Sequence, residues 1–179
     1  MEHRIVNKTY LILAHKNPEQ LKRLIDRLDD SCSKFLIHID LKSDITPFVD
    51  LIKTANVQFI VNRVNCVWGD YSQVAATLNL IEIALQTSSE GHVILLSGQD
   101  YPIKNSLFIN DFLYTNKDHD FIITRPVENN THTYERVKKY KFNLSDKRGD
   151  YILLPPIVGL SVKDIKAITR LLLKRTKFF

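Results

Sequence analysis

The sequence predicts an α/β domain of layered α/β/α form, Rossmann-like in element order, with a mostly parallel central sheet. Three observations carry that expectation. Short β-rich runs alternate with longer helical patterns through most of the chain. The first run, Thr9 to Ala14, is apolar without alternation, as suits a strand covered on both faces. Polar, turn-forming stretches follow the strands, where open parallel sheets hold their ligands.

Taken in order, Asn17-Pro18 opens a helix after the first strand, with Asn17 as N-cap and Pro18 at the first helical position. Leu21, Leu24, Ile25 and Leu28 form its buried stripe. Lys34 to Ile39 is the second strand and ends in the polar turn Asp40-Leu41-Lys42-Ser43-Asp44. A weaker helix covers about Thr46 to Thr54, and Val57 to Val61 forms the third strand. The loop Asn65-Cys66-Val67-Trp68-Gly69-Asp70 leads into a helix whose apolar positions include Val74, Ala75, Leu78, Ile81 and Leu85. His92 to Leu96 is the fourth strand, and Ser97-Gly98-Gln99-Asp100-Tyr101-Pro102 follows it. A helix near Ser106 to Tyr114 and a strand at Phe121 to Thr124 finish the regular alternation. Beyond it, Glu128 to Phe142 is polar with helical character, Tyr151 to Leu154 is a short apolar run, and Pro155-Pro156 breaks it. Ser161-Val162-Lys163-Asp164 then caps a last helix carrying Ile165, Ile168, Leu171 and Leu172. This helix meets no stop signal before Phe179, so the fold is expected to be incomplete at its C-terminus.

Composition sets the outer bounds. With 179 residues, 44% hydrophobic and 25% charged, the chain is that of one globular domain rather than a disordered or collagen-like one. Its apolar runs stop far short of the roughly 20 residues that span a bilayer. The start Met1-Glu2-His3-Arg4 lacks a leader pattern, which points to a cytoplasmic location, with peripheral attachment to the inner membrane left open. Cys32 and Cys66 have neither the number nor the spacing of a disulfide framework or zinc site, and are expected as buried free thiols. Asn-x-Ser/Thr matches at Asn7, Asn129 and Asn143 carry no weight in such a chain. The net charge of +5 is unevenly spread: residues 133–179 hold 12 Lys/Arg against 4 Asp/Glu, and the preceding residues are net negative. A basic end can attract nucleic acid, lipid or a diphosphate, but a solvated helix face is the plainer reading, and nucleic acid is not an expected partner.

Neither a G-x-G-x-x-G nor a P-loop follows any strand, so a nucleotide would need another cradle. Asp40 and Lys42, just after the second strand, have the chemistry for one: a carboxylate accepts from ribose or a base N–H, and a Lys balances phosphate. An ordinary turn Asp would look the same. Trp68 is the single Trp and lies in a polar loop, as a stacking platform or as a cover over the core edge. His15 is a ligand contact or a structural His at a helix start, and His38, inside a strand, is most simply packed and hydrogen-bonded. Asp118-His119-Asp120 has the D-x-D form of a metal motif but precedes a strand instead of following one, and reads as a solvated loop.

Four segments in order carry a family resemblance: Tyr10-Leu11-Ile12-Leu13-Ala14-His15, Ile37-His38-Ile39-Asp40-Leu41-Lys42, Val67-Trp68-Gly69-Asp70-Tyr71-Ser72, and Leu96-Ser97-Gly98-Gln99-Asp100-Tyr101-Pro102-Ile103-Lys104. Together they resemble the core-2/I-branching N-acetylglucosaminyltransferases, the family that includes peptide O-xylosyltransferases. The resemblance implies a GT-A-like fold and an inverting, metal-independent transfer from a UDP-sugar, UDP-GlcNAc first among them, to a glycan acceptor. By motif match, Ala14 and His15 lie near the uracil, Asp40 and Lys42 near the uridine, and Trp68 and Ser72 along the nucleotide pocket. Gly98, Gln99 and Asp100 fall near the donor sugar and diphosphate, and Glu128 and Arg136 in the region that contacts the acceptor. No cofactor is implied.

The same resemblance divides the chain into a UDP-sugar-binding core, residues 1–125, and the start of an acceptor-side region, residues 126–179, within one domain. It also places the family's catalytic Glu beyond this sequence, so no catalytic residue is assigned; Glu128 and Glu135 have no spacing argument for that role. Two function classes follow. One is a bacterial-type enzyme building surface polysaccharide. The other is a non-catalytic nucleotide- or glycan-binding fragment that needs a partner chain or further sequence, with the C-terminal helix available for self-association.

Overall fold

Lys8–Ala14 forms β1, and its side chains divide between two cores. Tyr10, Ile12 and Ala14 face one, and Leu11 and Leu13 face the other, so the strand is apolar without alternation from Tyr10 to Ala14 for the reason anticipated. The computed structural model describes residues 6–87, 90–127, 131–145, 147 and 149–154, apart from the side chains of His132 and Arg136. The chain divides into two compact units, Met1–Asp120 and Phe121–Phe179.

The first unit is a four-stranded parallel sheet in the order β3-β2-β1-β4, where β2 is Ser33–Ile39, β3 Val57–Phe59 and β4 His92–Ser97. Helices α1 (Pro18–Leu28) and α2 (Thr46–Leu51) cover one face; α3 (Tyr71–Thr87) covers the other. This is the α/β, Rossmann-like arrangement the alternation predicts. α1 buries Leu21, Leu24, Ile25 and Leu28 as its spacing requires, against Phe35, Ile37 and Ile39 of β2. Tyr10 stacks on Phe35 at 5.2 Å within this core. Pro18 does begin α1, but Asn17 is left-handed at φ 56° and caps nothing with its side chain, so its amide contributes tolerance of that backbone rather than a hydrogen bond. Helix α4, Ser106–Thr115, is capped by Asn105, whose side chain accepts from the Phe108 amide at 2.8 Å.

Three further expectations are corrected. In α3 the buried residues are Ala76, Leu80 and Ala84, whereas Val74, Leu78 and Leu85 are largely exposed. The two alanines let the helix approach Leu11 and Leu36 closely, which a stripe of larger residues would prevent. Residues 121–124 form no strand, and Ile122 and Ile123 are 79% and 86% exposed; a β-rich run still needs a ladder partner. Cys32 and Cys66 are free but only half-buried.

Within the second unit, α5 (Thr131–Val137) precedes an antiparallel hairpin of β5 (Tyr140–Asn143) and β6 (Tyr151–Leu154); the helical character expected as far as Phe142 is corrected from Tyr140 on, where the chain finds a ladder partner in the apolar run Tyr151 to Leu154. The expected C-terminal helix after Ser161 lies outside the described residues. No helix among the described residues is long and apolar enough to cross a membrane.

Candidate functional site

The chain steps outward from β1 through β2 to β3, then returns to lay β4 on the other side of β1. Between β1 and β4 the order reverses, and the carboxyl ends of the strands there open the crevice in which sheets of this kind hold ligands. Ala14 sits at the crevice floor. Its carbonyl accepts from the Asp40 amide at 2.9 Å, and on the other side Gly98 N–H donates to Leu13 at 2.8 Å. A Cβ on Gly98 would lie 2.7 Å from the Ala14 Cβ, so only glycine fits where the two strand exits converge.

The turn after β4 is folded by its own side chains. Asp100 Oδ2 accepts from the Ser97 amide at 2.8 Å, and Ser97 Oγ accepts from the Gln99 amide at 3.2 Å. Gln99 and Asp100 are exposed at the top of it. After β1, His15 is exposed and its carbonyl accepts from Ser43 Oγ at 2.7 Å, joining the first exit to the second.

That second exit is the most elaborate part of the site. Asp40 is 9% exposed, and its Oδ1 accepts from the Lys42 amide at 3.0 Å and more weakly from the Cys66 amide at 3.4 Å. Lys42 Nζ lies 4.0 Å from Asp40 Oδ2 and donates to the Cys66 carbonyl at 2.6 Å. The Cys66 thiol is pushed up by burial and by the Asp40 charge, which keeps it protonated and a poor nucleophile. Ser72, in the first turn of α3, accepts from the Val67 amide at 2.8 Å and so ties the loop to the helix. Gly69, left-handed at φ 73°, turns the chain between them, and Trp68 stands 62% exposed beside it.

Below the turn, His38 is fully buried and Nε2 accepts from the Val64 amide at 2.8 Å. Burial holds its pKa below the ordinary 6.5, with the Asp40 charge opposing. The unfolded chain therefore takes up this proton first, and the contribution of neutral His38 is full above about pH 6.5 and lost as pH falls through its lower folded value. Thermal melts from pH 8 to pH 5 are expected to show a fall in stability that His38→Gln, whose carbonyl can still accept from Val64, flattens. A fall of equal size in both proteins would refute the assignment.

Arg63, which no motif pointed to, lies at the centre of these loops. Its guanidinium donates to the carbonyls of Ile39, Asp40, Leu41 and Ser43 at 2.9, 2.8, 3.1 and 2.6 Å. A lone Arg in a polar loop gives no periodic or spacing signal, so only the fold reveals it.

A family model described as Core-2/I-Branching enzyme matches residues 9–154, from β1 through β6. The chain belongs to the Core-2/I-branching enzyme family. Among its curated relatives, a beta-1,3-galactosyl-O-glycosyl-glycoprotein beta-1,6-N-acetylglucosaminyltransferase of bovine herpesvirus 4 is 30% identical over 103 residues, 54% of this chain and 23% of that protein. The mouse protein named beta-1,3-galactosyl-O-glycosyl-glycoprotein beta-1,6-N-acetylglucosaminyltransferase 4 is 28% identical over 158 residues, 85% of this chain and 34% of that protein. This branching-family chain thus spans between about a quarter and about a third of the length of those relatives.

In the branching-family chain the structure gathers Ala14, His15, Asp40, Lys42, the Trp68–Ser72 loop and the Gly98–Asp100 turn at the carboxyl ends of one sheet. Glu128 and the Arg136 side chain lie outside what is described. Asp118, His119 and Asp120 are exposed after α4. A mostly apolar cavity of about 390 Å³ lies between α1 and α4, and Asp100 of the turn after β4 is among its lining residues.

Proposed function

We propose that this chain binds the UDP-sugar donor of an inverting, metal-independent glycosyl transfer that extends or branches a glycan. The observation that carries the reading is Asp40: a nearly buried carboxylate beside the crevice where the strand order reverses, fixed through Oδ1, with a lysine 4.0 Å from Oδ2. A carboxylate so held accepts hydrogen bonds from a ribose hydroxyl or a base N–H, and the ammonium balances phosphate charge. Trp68 offers a ring face for the base or sugar. The names of both relatives support N-acetylglucosamine as the sugar.

In the reaction an acceptor hydroxyl oxygen bonds to the anomeric carbon as the bond to the diphosphate breaks; its proton passes to a carboxylate base, and UDP leaves with the electron pair. The residues gathered here act on the donor side of that step. Glu128 and Arg136 are proposed for the acceptor side by their order in the family.

Calorimetric titration with UDP and with UDP-GlcNAc, in buffer containing EDTA, tests the reading. Both are expected to bind, and Asp40→Ala to weaken binding about tenfold, the loss of one charge-assisted hydrogen bond. Absence of UDP binding by the unaltered protein would overturn the donor assignment, and binding that appears only with added Mg²⁺ or Mn²⁺ would overturn metal independence.

A further inference from the structure

We infer that Arg63 is a positioning residue of the donor site, acting on the ligand through the Asp40–Lys42 turn it holds. Four of the five carbonyls from Ile39 to Ser43 converge on this one guanidinium. A strand that ends in a tight turn leaves such carbonyls without ladder partners, and a planar cation with five fixed donors satisfies several at once. Lysine, a point charge with three donors, cannot span the same fan.

The neighbouring hydrogen bonds make the arrangement a hub. Val64, next to Arg63, accepts from the Leu41 amide at 3.1 Å and donates to His38 at 2.8 Å. Two residues later, Cys66 donates to Asp40 and accepts from Lys42. The turn bearing Asp40 and the loop bearing Trp68 are thereby stitched into one body around Arg63. Its role is to order both before the ligand arrives, which raises affinity by removing the entropy of ordering them at binding.

The inference rests on the donor reading above, and two measurements separate their failures. Amide hydrogen exchange on the ligand-free protein is expected to run about tenfold faster or more in Arg63→Met at Leu41, Lys42, Val64 and Cys66, and to be unchanged at Ile12 and Ile37, since each lost bond to a charged donor loosens only the turn. Unchanged rates at those four amides would overturn the inference whether or not UDP binds.

The second measurement is a double-mutant cycle on UDP affinity. Arg63→Met is expected to weaken UDP about tenfold, and to add clearly less than that in an Asp40→Ala background, because part of its effect runs through the turn that carries that side chain. Fully additive losses, or undiminished affinity in Arg63→Met, would overturn it. If the unaltered protein does not bind UDP, the donor reading fails and the exchange rates alone decide. Should Arg63→Met not fold, Arg63→Lys serves in its place, with exchange and affinity between those of the unaltered protein and the loss above; values equal to the unaltered protein's would count against the role.

Discussion

Asp30→Ala is expected to destabilise the protein by about 3–5 kcal/mol, because it leaves a buried cation unpaired. At the start of β1 the Lys8 side chain is 1% exposed, and its ammonium donates to Asp30 Oδ2 at 2.8 Å, to Val6 O at 3.0 Å and to Asn110 Oδ1. Asp30 also accepts from Asn110 Nδ2 at 3.0 Å, Ser33 Oγ at 2.8 Å and the Cys32 amide at 3.0 Å. Burial alone would raise the Asp30 pKa; the bonds from Lys8, Asn110, Ser33 and Cys32 outweigh it and hold the group below its ordinary 3.8. Its folded value lies under its unfolded one, so this stabilisation is complete above pH 3.8 and disappears as pH falls through the folded value. Lys8→Met is expected to be milder, since the Asp30 side chain is 21% exposed and keeps its other three donors. Denaturant unfolding of both variants checks the order. Equal losses, or a loss in Asp30→Ala of under about 1 kcal/mol, the range of an exposed pair, would refute it.

Gly98→Ala is expected to remove about 1–3 kcal/mol of stability, the usual range for an extra methyl in a packed site. The new Cβ would stand 2.7 Å from the Ala14 Cβ and 3.4 Å from its Cα, atoms fixed to backbone that no side-chain rotation can move away. β4 would have to part from β1 where Gly98 N–H meets the Leu13 carbonyl, at the floor of the crevice. UDP affinity should fall together with the melting temperature. Adding Ala14→Gly removes the opposing methyl, so the double variant is expected to regain most of both. A melt for Gly98→Ala that matches the unaltered protein, or a double variant no better than the single, would show the strand exits to be looser than described.

How far these features could be read from residues alone depended on how local their causes are. α1 shows one apolar stripe on a polar background, which leaves a single way to bury it, and the stripe is the one observed. α3 is apolar on most sides, so periodicity could not choose a face; the choice fell to Ala76 and Ala84, small enough to let the helix approach the sheet. Phe121 to Thr124 has β propensity but forms no strand, because pairing is not encoded within a run. The segments that follow β1, β2 and β4 were legible because the position of a crevice follows from strand order. Arg63 and Asp30 were not, since each draws its meaning from partners that adjoin it only in the fold. Ser72 and Lys42 show the same limit in milder form: the sequence identifies the segments, and the structure shows Lys42 bonded to the loop at Cys66 and Ser72 bonded to it at Val67.

The placement of Trp68 has an optical consequence. The chain contains one Trp, and Trp68 is 62% exposed in the loop between β3 and α3. Emission from unlabelled protein excited at the indole band therefore reports on this loop and hardly at all on the apolar cores. A base or sugar ring laid against the indole would quench or blue-shift that emission, so binding can be followed without a dye at protein concentrations far below those of calorimetry. Global unfolding is followed separately by far-UV circular dichroism, which reads the helices and sheet, and that is the readout for the stability variants.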